Sequence, residues 1–256
     1  MSTYLVTGAS RGIGFELCKQ LLSRGEVVIA AARTPEKATN LKELEGSHSG
    51  KLHLVKLDAE DASSIKAAAD KLDKEFPGGL DVLINNAGIS GSFVQCSQET
   101  VENVLAVHKV NVLGPMLVTQ AMLPLLRKGS KKLIANVSSG AGSLAGKLKF
   151  VEDAEIRKTL PYATQALAYK QSKAALNMQT LTFAADLKDE GFTVISYCPG
   201  WVATDMGLQG QELMKTKENP TWTTEQSVEL QIKLLDGMTP DKSGGYFQHT
   251  GEKLDW

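Results

Sequence analysis

The chain has 256 residues, 42% of them hydrophobic and 22% charged, with 28 basic against 29 acidic side chains and a formal net charge of −1. That length can bury a large core and suits one α/β domain. The balanced charge gives no electrostatic pull toward nucleic acid or an anionic membrane, and neither is expected as a partner.

The three cysteines, Cys18, Cys96 and Cys198, lie far apart, and His48, His53, His108 and His249 form no ligand cluster. No metal site is therefore expected. Cys198 follows an apolar run and reads as a small buried hydrophobe. This cysteine usage fits a reducing, cytoplasmic compartment. The longest uninterrupted apolar run, 27–32, is too short to span a bilayer. A strand expected from Thr3 leaves no room for a signal peptide ahead of it.

In chain order, strands are predicted at Thr3–Thr7, 26–32, 52–57, Val82–Asn85, 132–137 and 193–197, with a short last one at Tyr246–Gln248. These runs are apolar without strict alternation, as when both faces of a sheet are covered. Ile13, Leu17, Cys18, Leu21 and Leu22 share one helical face after the first strand. Further helices are predicted at 36–44, 62–76, 98–126, 163–187 and 224–235. Repeated strand–helix units imply an α/β fold: one doubly wound, dinucleotide-binding Rossmann domain over 1–256, with helices on both faces of a parallel sheet. Two stretches break the alternation, an insertion at 140–168 and a segment at 201–222. Long segments beyond strand C-terminal ends shape ligand sites, and Leu144, Phe150, Trp201 and Met206 give these an apolar character.

The first strand runs into Thr7-Gly8-Ala9-Ser10-Arg11-Gly12-Ile13-Gly14. Glycines between a strand and a helix let the backbone approach a pyrophosphate, and the helix N-terminus favours its charge. The second strand ends on Ala32-Arg33. NAD enzymes usually place a carboxylate here to bind the adenosine ribose. With a neutral alanine in its place, Arg33 and Arg11 are free to pair with a 2′-phosphate, so NADPH/NADP+ is the expected cofactor. Asp58, at the end of the third strand, is either an acceptor for the adenine amino group or a helix-cap or turn residue. After the fourth strand, Asn86-Ala87-Gly88 are small enough for a cofactor to lie close, and the asparagine fixes backbone edges or meets the ribose.

Tyr169 and Lys173 stand four apart in a predicted helix and share one face. A phenol has an ordinary pKa near ~10, which an adjacent ammonium is expected to lower so that Tyr169 exchanges protons with a carbonyl oxygen.

The string at 7–14, Asn86-Ala87-Gly88, Asn111, Ser138-Ser139, Tyr169 with Lys173, and Pro199-Gly200 occur in one order. Together they resemble the short-chain dehydrogenase/reductase family over essentially the whole chain. That resemblance implies about seven parallel strands in the order 3-2-1-4-5-6-7. It implies Tyr169 as general acid/base, Lys173 as the ligand of the nicotinamide ribose, and Asn111 as the holder of a relay water. Ser139 rather than Ser138 matches the serine that bonds the substrate carbonyl, since it precedes the turn Gly140-Ala141-Gly142. Val202 and Thr204 match contacts to the carboxamide and pyrophosphate. Thirty positions separate Ser139 from Tyr169. That long spacing, with the ending Gly251-Glu252-Lys253-Leu254-Asp255-Trp256, resembles the sniffer-like carbonyl reductase branch. The expected reaction is NADPH-dependent reduction of a ketone or aldehyde, a small-molecule substrate. Alcohol oxidation and a non-catalytic NADP-binding sensor are the rivals. A homodimer or homotetramer is the family's common state, and the insertion leaves a monomer open.

Overall fold

In the computed structural model, which describes residues 1–159, 161–213 and 219–256, seven parallel strands form one sheet. They are β1 (Thr3–Thr7), β2 (Val27–Ala32), β3 (Leu52–Lys56), β4 (Val82–Asn85), β5 (Leu133–Val137), β6 (Thr193–Cys198) and β7 (Tyr246–Gln248). Their order is β3-β2-β1-β4-β5-β6-β7, as the family resemblance implied. The order reverses beside β1, which pairs with β2 (Leu5 opposite Ile29) and with β4 (Leu5 opposite Leu83). A doubly wound sheet opens its ligand crevice at such a switch point.

Successive side chains of one strand enter different cores, which explains the unbroken apolar runs. Tyr4 and Val6 join α1 (Gly12–Ser23), α2 (Thr39–Ser47) and α10 (Thr224–Asp236) through Leu17, Leu21, Leu41 and Ile232. Leu5 faces α3 (Ala62–Glu75) and α5 (Gly114–Lys128) through Ile65, Leu72, Val118 and Met122. Each fully buried aliphatic side chain contributes about 1.5–3 kcal/mol. Side chains cap several helices. Asp61 accepts from Ser63 N at the start of α3, Thr100 caps α4 (Val101–His108), and Thr223 forms a capping box with Gln226 at α10.

The helix predicted over 98–126 divides into α4, one π-helical turn at Lys109–Leu113, and α5. The run Val101–Lys128 is long and apolar enough to cross a membrane, and half of its 18-residue apolar window is buried in this fold. The 140–168 insertion folds into a 3-10 turn (Gly140–Gly142), α6 (Leu144–Glu152), α7 (Ala154–Thr159) and another 3-10 turn (Pro161–Thr164). Ala166, at φ 56°, then opens α8 (Leu167–Asp186). The 201–222 segment carries α9 (Asp205–Leu213), and residues 214–218 of it lie outside the described residues.

Candidate active site

A cleft runs along the C-terminal ends of β1, β2, β4 and β5. Its floor is the glycine loop. A side chain at Gly14 would put its Cβ 2.3 Å from the Gly8 carbonyl oxygen and 2.5 Å from Asn86 Nδ2. Gly8 itself has φ +67° and packs against Ala87. No side chain caps α1, in contrast to α3, α4 and α10. Backbone donors at an uncapped helix start, reached across glycines, suit a diphosphate. Thr204 closes on the loop from the other side, 3.3 Å from where a Gly12 Cβ would stand.

Asn86 is committed to backbone. Its Nδ2 donates to Thr7 O at 2.9 Å, and its own N–H donates to Thr7 Oγ1 at 3.0 Å. Thr7 Oγ1 also accepts from Ala87 N at 3.1 Å, a bracing role not read from the sequence. Asp58 lines the cleft and its Oδ1 accepts from Glu60 N at 3.0 Å, a turn contact, while Asp61 rather than Asp58 is the helix cap. The two arginines differ. Arg33 is exposed at the cleft rim and has no ion-pair partner among the described residues, whereas Arg11 pairs with Asp205 of α9 at 3.2 Å.

Four residues expected in catalysis converge at the inner end. Tyr169 and Lys173 lie one turn apart on α8, with Lys173 Nζ 5.6 Å from the Tyr169 ring centre. Lys173 Nζ donates to Val137 O at 2.8 Å, where β5 ends. Ser138 Oγ donates to Asn177 Oδ1 at 2.6 Å and is buried. Ser139 instead lies beside Tyr169, close enough for its hydroxyl to act on the phenol, and its Oγ accepts from Ala141 N at 3.2 Å. The π turn carries Asn111 inward. Its Oδ1 accepts from Ile89 N at 2.9 Å, and its Nδ2 donates to Ile89 O at 2.8 Å and Ser172 Oγ at 3.0 Å. Pro199 lines the cleft, Gly200 at φ +82° packs on Trp222 and His249, and buried Val202 bridges to Trp222.

The electrostatics correct one expectation. Burial pushes the Tyr169 phenol up to about 12, the nearby Ser139 hydroxyl draws it down, and Cys198 raises it. Burial pulls the Lys173 ammonium down to about 8, with Cys198 opposing. Desolvation of both groups thus outweighs the lowering that Lys173 was expected to impose on Tyr169. Cys198 is buried, as its apolar run suggested, and burial raises its thiol too. Tyr162 of the insertion is also raised, first by burial and then by Tyr169 and Cys198, which places it beside the site. Leu144, expected near the substrate, is 72% exposed, while Met206 lines the cleft. No cluster of three or more metal-binding side chains occurs among the described residues.

The short chain dehydrogenase family model matches residues 2–151, more than half of the chain. The chain belongs to that family. An uncharacterized oxidoreductase of Schizosaccharomyces pombe is 36% identical over 263 aligned residues, covering 99% of this chain and 97% of that protein. The fold also matches solved members. The NADPH-bound carbonyl reductase from chicken fatty liver superposes with a TM-score of 0.86 at 34% identity, covering 100% of this chain and 94% of that one. The carbonyl reductase Sniffer of Drosophila melanogaster gives 0.86 at 26% identity, with both chains fully covered. The resemblance to the sniffer-like carbonyl reductase branch thus extends from motifs to the whole fold.

Proposed function

We propose that the chain is an NADPH-dependent reductase of ketones or aldehydes. The observation that carries this reading is that Tyr169 and Lys173 line the inner end of a glycine-floored cleft, with Ser139 beside the Tyr169 phenol. The Gly8–Gly14 loop and the start of α1 would hold the diphosphate, with Thr204 beside it. Arg33 would take the 2′-phosphate, and Asp58 would stand at the adenine end. Lys173, with Pro199, Gly200 and Val202, would hold the nicotinamide end. When bound, NADPH supplies the hydride.

The chain's own residues orient the carbonyl and deliver its proton. Ser139 holds the carbonyl oxygen and stabilises its developing negative charge. Tyr169 donates the proton as general acid. A phenol raised to about 12 is protonated throughout neutral pH, the form a reduction consumes. Lys173 would hold the nicotinamide ribose and Asn111 a water, on the side from which a proton would return to Tyr169. The test is NADPH consumption by purified protein across reactive dicarbonyls, quinones and aldehydes, with NADH in parallel. Turnover with NADPH preferred is expected. No turnover of any carbonyl, or equal use of NADH, counts against the reading.

A further inference from the structure

The position of Ser139 depends on groups far away in sequence. Its backbone is extended, and its carbonyl accepts two hydrogen bonds. One is local, from Gly142 N at 2.8 Å. The other comes from Tyr246 Oη on β7, at 2.6 Å and 107 residues away. Tyr246 is wholly buried, and burial raises its phenol, so the donor is protonated at neutral pH.

The tyrosine is itself held. After β7 the chain turns back, with Gln248 N donating to Glu252 O at 2.7 Å and Leu254 N to Tyr246 O at 2.8 Å. This return stacks the Trp256 ring on Tyr246, with centres 5.1 Å apart and planes 17° apart. The same segment grips the turn that follows Ser139. Ser143 Oγ donates to Asp255 O at 2.8 Å, and Ala145 N donates to Trp256 O at 2.9 Å. Residues 252–256 thus bind both the catalytic serine's partner and residues 143–145.

We propose that Tyr246 and Trp256 are positioning residues for carbonyl reduction: Tyr246 fixes the Ser139 carbonyl by hydrogen bond, and Trp256 fixes Tyr246 by stacking, so that the Ser139 hydroxyl stays set against Tyr169. Neither touches the reacting atoms. The inference rests on the reading of Ser139 and Tyr169 given above. Its physical basis is that a serine donor displaced by about 1 Å loses on the order of 100-fold in rate.

Tyr246→Phe keeps the ring and removes only the hydroxyl. It should lower kcat about tenfold, a partial displacement, while the Kd for NADPH stays within about twofold. Trp256→Ala should do the same, and Trp256→Phe, which keeps a stackable ring, should recover most of the loss. In a Ser139→Ala background, Tyr246→Phe should lower kcat no further, because the hydroxyl it positions is gone. Hydrogen exchange gives a readout independent of turnover: in both Tyr246→Phe and Trp256→Ala, amides over 141–146 should exchange faster, and those of the glycine loop should not. Unchanged kcat in Tyr246→Phe, an undiminished effect in the Ser139→Ala background, or loss of NADPH binding in step with kcat overturns the inference. If the wild type reduces no carbonyl, the reading of the site fails, and exchange decides alone: faster exchange confined to 141–146 supports the hold of Tyr246 and Trp256 on this turn, and unchanged exchange overturns it.

Discussion

Lys173 reaches past the ring of Tyr169 to donate its ammonium to the Val137 carbonyl at the end of β5. The contact buries the charge and fixes where it stands. Burial of the pair sets two opposite shifts, a phenol pushed to about 12 and an ammonium pulled to about 8. Reduction needs Tyr169 protonated and Lys173 charged. The ammonium titrates first as pH rises. The kcat/KM for carbonyl reduction should therefore hold across neutral pH and fall above about 8, and steady-state rates up to about pH 10 check this. A rate that rises through this window would show that the phenolate is the active form.

The same burial has a stability consequence. A lysine whose folded pKa lies below its unfolded value is costly while charged. The unfolded chain binds more protons between about 8 and the ordinary lysine value, so stability gains from rising pH in that window. Lys173→Met removes this dependence along with the Val137 hydrogen bond. The melting temperature of the variant relative to wild type should therefore be higher near pH 7 than near about pH 10. Parallel thermal melts at the two pH values read the difference, and a gap that does not change with pH contradicts the assignment.

Among the described residues Arg33 has no ion-pair partner at the rim, while Arg11 is held by Asp205. Arg33→Ala should weaken NADPH by about 10- to 100-fold, the loss of a charge-assisted contact of ~1.5–3 kcal/mol, and leave NADH nearly unchanged. Arg11→Ala should discriminate less between the two cofactors, since its guanidinium already has a carboxylate and both side chains are about three-quarters exposed. Michaelis constants for both cofactors measure this.

The adjacent serines separate stability from chemistry. Ser138→Ala leaves the buried Asn177 Oδ1 without its donor and should cost about 1–3 kcal/mol in denaturant unfolding, with kcat little altered. Ser139→Ala should cost little stability and lower kcat by about 100-fold or more, as loss of an oxyanion donor does. An exchange of these two phenotypes would assign the substrate contact to Ser138.

Much of this site was legible in the sequence because it is built from local rules. Apolar runs punctuated by helical periods announced the parallel sheet, and a strand–glycine–helix junction announced the phosphate cradle. Other features required three dimensions. Residues 98–126 read as one helix because their apolar spacing does not register the π turn that carries Asn111 inward. The unusual length of 140–168 was plain, but not the two helices in it, nor the return of Tyr162 to the site. The direction of the Tyr169 shift depends on burial, which spacing on a helix does not report. The hold of Tyr246 on Ser139 joins the last strand to the turn after β5, a contact no local pattern encodes.

The central claim is that Tyr169 protonates a carbonyl oxygen while hydride arrives from NADPH. The most direct test is single-turnover NADPH oxidation by wild type and Tyr169→Phe with the best substrate from a carbonyl panel, alongside the NADPH Kd of each. The account predicts a loss of about 100- to 10,000-fold in the chemical step, the range of general acid catalysis, with cofactor affinity retained. A variant that reduces the carbonyl at a near-normal rate would contradict it.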